Sequence, residues 1–266
     1  MPYYYCSRSM AYVDSGPPLF AAVRAGDVEA LRRELAAGVD PDMYQDGPYA
    51  STPLCQAVRW GSAIPATRFQ ERLACISVLL EAGASVDKQC GNGETPLLKA
   101  AGVDSPAWTA VIAALLEAGA DPNFTTTRWG ESVLATAASM GSAGTVRMLL
   151  SAGASDLDRA LVLAIENGKQ RNCTPLLRAG AAIPWHVSQE WPVRSDPQTL
   201  AYIRRIRATW GGFKAYEKAH RQHLAAIFLA KFPALPVEML ERIVEFSYNV
   251  GGPSHCPSIA PKYLLD

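Results

Sequence analysis

The chain has 266 residues, 49% of them hydrophobic, with 25 Lys and Arg balanced by 25 Asp and Glu. That length implies one large domain or two small ones, and the apolar content excludes a disordered chain. No apolar run reaches the roughly 18–20 residues that a membrane span needs, and zero net charge argues against a bulk nucleic-acid partner. Residues 1–15 are read as an N-terminal segment. Its start, Met1-Pro2-Tyr3-Tyr4-Tyr5-Cys6, lacks the charged and apolar regions of a secretory signal. A monomer in the cytoplasm or nucleus is therefore expected. The cysteines, at positions 6, 55, 75, 90, 173 and 256, are irregularly spaced and include no CxxC. Buried, reduced thiols are the expected state.

From residue 16 onward two phrases alternate. The first reads Pro18-Leu-Phe-Ala-Ala-Val23, Pro53-Leu-Cys-Gln-Ala-Val58, Pro96-Leu-Leu-Lys-Ala-Ala101, Val133-Leu-Ala-Thr-Ala-Ala138 and Ala160-Leu-Val-Leu-Ala-Ile165. The second is Leu-x-Ala-Gly, ending at Gly38, Gly83, Gly119, Gly153 and Gly180. Pro18 to Gly38, Val133 to Gly153 and Ala160 to Gly180 each span 20 positions, with Gly26, Gly141 and Gly168 falling 8 after the first mark. Gly61 falls there in the second copy. That copy carries about ten extra residues around Ser62–Leu73, and Asp104 replaces the mid-repeat glycine of the third.

The spacing predicts helix, turn, helix, loop. Thr52 and Thr95 before a proline suit an N-cap followed by the first helical residue. Ala22, Ala57, Ala100, Ala137 and Ala164 let a short inner helix lie close to its neighbours. Val28, Leu31 and Leu35, like Val111 and Leu115, carry the apolar stripe of an outer helix. The mid-repeat glycines should make the turn, and the closing glycines the left-handed C-terminal cap.

These phrases resemble the ankyrin-repeat family over residues 16–184, in five repeats of which the last is degenerate. The resemblance implies an all-α ankyrin solenoid of helix-turn-helix units with short hairpin loops. It also implies a partner protein bound on the concave face. The family's TPLH histidine is absent; Phe20, Cys55, Leu98, Ala135 and Val162 stand there, so an apolar inter-repeat contact is expected. Repeat five has a very short loop before Asp158, which predicts a collapsed hairpin.

After Pro184 the repeat phrases stop. Residues 1–183 carry net −3, residues 184–233 net +5 and residues 234–266 net −2. Residues 185–250 are read as a C-terminal helical cap and 251–266 as a flexible tail. One helix should follow Asp196-Pro197, with Leu200, Ile203, Ile206 and Trp210 on one face, until Gly211-Gly212 breaks it. A second carries Phe213, Tyr216, His220, Leu224, Ile227 and Phe228. Arg204, Arg205, Arg207, Lys214, Lys218 and Arg221 make this segment basic; a solvated face is the simpler reading, a phosphate or acidic partner the other.

A third helix starts at Leu235-Pro236 and ends before Gly251-Gly252-Pro253, with Glu241 and Glu245 outward. Its Leu235, Pro236, Glu238, Leu240, Ile243 and Phe246 resemble the first helix of an F-box. That resemblance, or a SOCS-box-like one, implies a substrate-receptor adaptor of a ubiquitin ligase. An F-box is longer than the stretch available here, and the helix His220–Phe232 lacks the cysteine of a SOCS box.

No catalytic set emerges: no Walker A, no GxGxxG after a strand and no GxSxG. His220 with His223, and His255 with Cys256, match no metal-ligand spacing. A non-enzymatic protein without cofactor, metal or small-molecule substrate is expected. The variable positions of the repeats carry the remaining signal. Arg59, Trp60 and Met140 precede mid-repeat glycines, and Tyr44, Tyr49, Phe124, Arg128 and Trp129 lie in hairpin segments. Aromatic and Arg side chains are typical interface anchors, so these eight form the candidate partner-binding set. The competing reading is that Trp60 covers the insertion and that Tyr44 and Trp129 brace their own hairpins.

Overall fold

The cap-and-proline phrases become helices wherever the chain is described. A computed structural model describes residues 17–45, 50–59, 66–127, 130–183, 196–209, 211–231 and 239. The chain forms two units, Met1–Pro96 and Leu97–Asp266. Among the described residues each is helical and contains helix-turn-helix repeats.

In the first unit, inner helices α1 (Pro18–Ala25) and α3 (Pro53–Val58) lie side by side, with outer helices α2 (Val28–Ala36) and α4 (Ala66–Glu81) behind them. Asp27 Oδ1 accepts the Ala30 amide at 2.9 Å and starts α2; Thr52 Oγ1 accepts the Cys55 amide at 3.2 Å and starts α3. Leu19, Phe20, Val23, Leu31, Leu54, Ile76 and Leu79 make the core. Of the expected α2 stripe only Leu31 is fully buried; Val28 and Leu35 are half-buried.

The second-copy insertion is absorbed partly as extra turns at the start of α4. Within them Arg72, only 8% exposed, donates from Nη1 to Ala57 O at 3.3 Å and from Nη2 to Arg24 O at 3.4 Å. Its guanidinium thus sits at the negative ends of both inner helices, where a cation is favoured.

The expectation of reduced thiols is corrected here. The sulfurs of Cys55 and Cys90 are joined in a disulfide across 35 residues of sequence, with Cα atoms 6.7 Å apart. The apolar inter-repeat contact expected at Cys55 is therefore covalent. The start of α3 faces the loop of the next repeat, and residue spacing alone does not reveal that approach. Cys75 and Cys173 are free and buried.

The second unit contains α5 (Pro96–Ala101, beginning at the unit boundary), a 3₁₀ turn (Pro106–Trp108), α6 (Thr109–Glu117), α7 (Val133–Ser139), α8 (Ala143–Ser151), α9 (Leu157–Glu166) and α10 (Gln170–Arg178). Inner helix α7 packs on α9, and outer helix α8 lies between α6 and α10. Leu97, Ile112, Leu115, Leu134, Leu149, Leu161 and Leu176 are fully buried. Ser132 takes the threonine's place as N-cap of α7, accepting the Ala135 amide at 3.1 Å.

The closing glycines behave as expected, all five with φ between 84° and 103°. Gly141 does not. Its φ is not positive; instead a Cβ there would strike the carbonyl oxygen of Ala101 and lie 2.9 Å from that of Ala137. The mid-repeat glycine of this copy is required by backbone approach, not by a left-handed turn. In repeat five, α9 begins at Leu157, just past Ala154–Asp156, which leaves no room for a hairpin.

Side chains in two loops and in the first turn of α9 link successive repeats. Asp42 Oδ1 accepts the Ser85 amide at 2.9 Å, Asn123 Oδ1 the Ser155 amide at 2.9 Å, and Asp158 Oδ1 the Ala182 amide at 2.7 Å. Asn172 of α10 is 2% exposed and donates from Nδ2 toward the carbonyls of Ala137, Ala138 and Gly141 at 3.3, 2.9 and 3.1 Å. It closes the end of α7, where helix carbonyls lack intrahelical partners.

Two further helices, α11 (Pro197–Ala208) and α12 (Gly212–Lys231), lie against α10. Asp196 caps α11, and Thr199, Tyr202, Ile203 and Ile206 form its buried face. Leu200 is only half-buried, and Trp210 lies outside the described residues. Thr174 Oγ1 and Tyr202 OH are hydrogen-bonded at 3.1 Å, and Arg178 Nε meets Glu217 Oε1 at 2.8 Å. Tyr216 lies edge-on to Tyr202 and is stacked with His220. Among the described residues no helix is long and apolar enough to cross a membrane.

Candidate partner-binding site

Inner helices and loops present the candidate residues, and each unit holds its own subset. In the first unit Tyr44 is 46% exposed in the loop after α2. Its hydroxyl donates to Gln89 O at 3.1 Å, and the Lys88 ammonium lies 5.0 Å from its ring centroid. Tyr44 therefore braces the neighbouring loop with its hydroxyl while the residue stays 46% exposed. Arg59, just past α3, is exposed. Tyr49 and Trp60 lie outside the described residues.

In the second unit Phe124 is half-buried, and its carbonyl accepts the Val133 amide at 3.2 Å. That bond belongs to the hairpin whose isolated bridge pairs Thr125 with Ser132. Met140, at the end of α7, is 43% exposed. Its methyl rests over Gly102, where a Cβ would meet it at 3.3 Å. Arg128 and Trp129 lie outside the described residues. So do Leu235, Pro236, Glu238, Leu240, Ile243 and Phe246 of the F-box-like stretch, and the segments 1–15 and 251–266.

Lys88, Gln89, Arg72 and Asn172 were not singled out by sequence. Lys88 and Gln89 follow no repeat phrase. Arg72 stands beside the Leu73–Leu80 apolar run, which is the one signal that could have marked it.

The electrostatics offer little for catalysis. Burial pushes the Cys75 thiol up to about 11, partly offset by Arg72, and the Cys173 thiol up to about 12. Both are protonated near neutral pH and are poor nucleophiles. Burial, with the nearby His223, lowers the His220 pKa. A cleft of about 490 Å³ in the second unit is walled by Leu177, Ile183, Ile206 and Phe213, with Arg207 its one titratable side chain. Of the basic residues, Arg204, Arg205, Lys214, Lys218 and Arg221 are exposed, and Arg221 Nη2 lies 3.4 Å from Glu217 Oε1.

Residues 63–158 match the family model of ankyrin repeats, in three copies. That stretch carries ankyrin repeats. The matched stretch runs from just before α4 to the start of α9, so it includes the helices bearing Met140 and Arg72. No curated protein matches the chain. Ankyrin repeats indicate a protein–protein interaction module, a binding scaffold and not, in general, a catalytic one.

Proposed function

We propose that this ankyrin array binds a partner protein on its concave face, through inner-helix ends and loop tips. The carrying observation is Met140. A methionine left 43% exposed at the end of an otherwise buried inner helix offers adaptable apolar contact. Tyr44, at 46% exposed and already held through its hydroxyl, offers a rigid aromatic face that loses little freedom on binding. Arg59 and Phe124 belong to the same reading. So does a division into a repeat array over 16–184 and a helical cap over 185–250, since a terminal repeat exposes an apolar face that something must cover. The packing of α11 and α12 on α10 supports the cap.

Affinity capture with the full chain tests the proposal. Met140→Asp and Tyr44→Ala should each deplete the captured protein set by tenfold or more. Arg147→Glu, exposed on outer helix α8, should leave it unchanged. Capture equal for all three and the wild type, with unfolding midpoints matched, overturns the concave-face assignment.

A further inference from the structure

We propose that the Cys55–Cys90 pair is a reversible thiol–disulfide switch that sets the order of the 88–94 loop. The pair joins the first turn of α3 to that loop and is the covalent link there beside weaker hydrogen bonds. Gly91 N–H donates to Ala50 O at 2.6 Å, Lys88 N–H to Ser85 O at 3.2 Å, and Tyr44 OH to Gln89 O at 3.1 Å, while Cys90 N–H to Glu94 O at 2.9 Å lies within the loop. Every one of these bonds has a partner in the loop, so all depend on the loop staying in place.

Access and reversibility both have a structural basis. Cys90 is 7% exposed, but Gln89, Gly91 and Asn92 around it are exposed, so a small opening of the loop brings its sulfur to solvent. Cys55 itself is fully buried, which directs an incoming thiolate to the Cys90 sulfur and makes Cys55 the leaving group. Lys88 O lies 3.8 Å from Cys55 Sγ, so the thiol formed on reduction can donate to it whenever the loop is seated. Cys75 and Cys173 sit inside helices with no sulfur partner among the described residues, which makes them internal standards.

The chemistry balances with a small-molecule disulfide as oxidant. The two thiols give up two electrons and two protons, forming the Cys55–Cys90 bond, and the oxidant leaves as two thiols. Reduction by the same small thiol runs the exchange backward through a mixed disulfide on Cys90.

The test uses the full chain with Cys6→Ser and Cys256→Ser, equilibrated in mixtures of reduced and oxidised glutathione. Alkylation followed by mass spectrometry should show Cys55 and Cys90 changing together, joined or both free, and returning when the ratio is reversed. Amide exchange at Cys90 and Gly91 should quicken at least tenfold in the reduced form, while amides of α1 and α2 keep their rates. None of these readouts needs a bound partner, so the switch and the concave-face reading fail separately. A pair that stays joined in every mixture that leaves the chain folded overturns the proposal. So does a pair that never forms, or loop amides that exchange equally in both states.

Discussion

Replacing Asn172 probes how one repeat closes the helix of another. Its Nδ2 reaches three carbonyls at the end of α7, and the residue is 2% exposed. Ala137 O also receives the Gly141 amide at 2.9 Å, so it remains served when the side chain is lost. Among the described residues, Ala138 O and Gly141 O are served by Asn172. At about 1–1.5 kcal/mol for each carbonyl stripped of its donor, Asn172→Ala should cost about 2–3 kcal/mol. Asn172→Asp separates the hydrogen bonds from the volume. It keeps the size but turns acceptor oxygens toward carbonyl oxygens at the negative end of a helix. At pH 7 it should cost at least as much as the alanine variant, and the deficit should narrow as acid protonates the new carboxyl. Urea denaturation of the full chain, followed by circular dichroism, measures both. An Asn172→Asp variant within about 0.5 kcal/mol of wild type at pH 7 would refute the account, because the isosteric swap leaves no cavity to blame.

Other expectations follow from burial. Leu115→Ala, at a fully buried position of α6, should cost about 2–5 kcal/mol, read as a shift in denaturation midpoint; an unchanged midpoint contradicts the packing. Cys173, with its thiol pushed up to about 12, and Cys75, at about 11, should resist iodoacetamide at pH 8 until the chain unfolds. Rapid labelling of either in the folded protein would show that these helices open freely. His220 has its pKa lowered from 6.5 by burial and then by His223, so the folded chain binds fewer protons than the unfolded one. Stability should therefore fall as pH drops from about 6.5 through the depressed value, and His220→Gln should flatten that slope. Equal slopes for variant and wild type would place the acid sensitivity elsewhere.

The repeat pattern made the helices and their ends readable. A fixed spacing of small and apolar residues determines where a helix can start, what it buries and where it must stop, and the closing glycines have the backbone that spacing implies. Steric reasons were less legible. Gly141 falls on the turn position, but its lack of a side chain serves the passage of Ala101 beside it. Position-specific residues were not legible at all. Arg72 and Asn172 occur once each, so no period reveals them, and their partners are backbone carbonyls that any sequence would supply. The Cys55–Cys90 bond was hidden for a related reason: the pairing depends on which loop crosses which helix, information that thiol spacing does not contain. Of the candidate binding residues, exposure distinguishes Tyr44, Arg59 and Met140 from the half-buried Phe124. That difference depends on neighbours rather than on residue type.

The lengthened α4 bears on how the proposed partner would find its place. Outer helices α2, α6, α8 and α10 have 9 residues each, whereas α4 has 16. At about 1.5 Å per residue α4 is roughly 10 Å longer than α2, its neighbour in the same unit. On the proposed reading, the two look-alike modules of the first unit would offer a partner nearly the same landing spot. The longer helix tells the second from the first, a keyed edge against settling one module off.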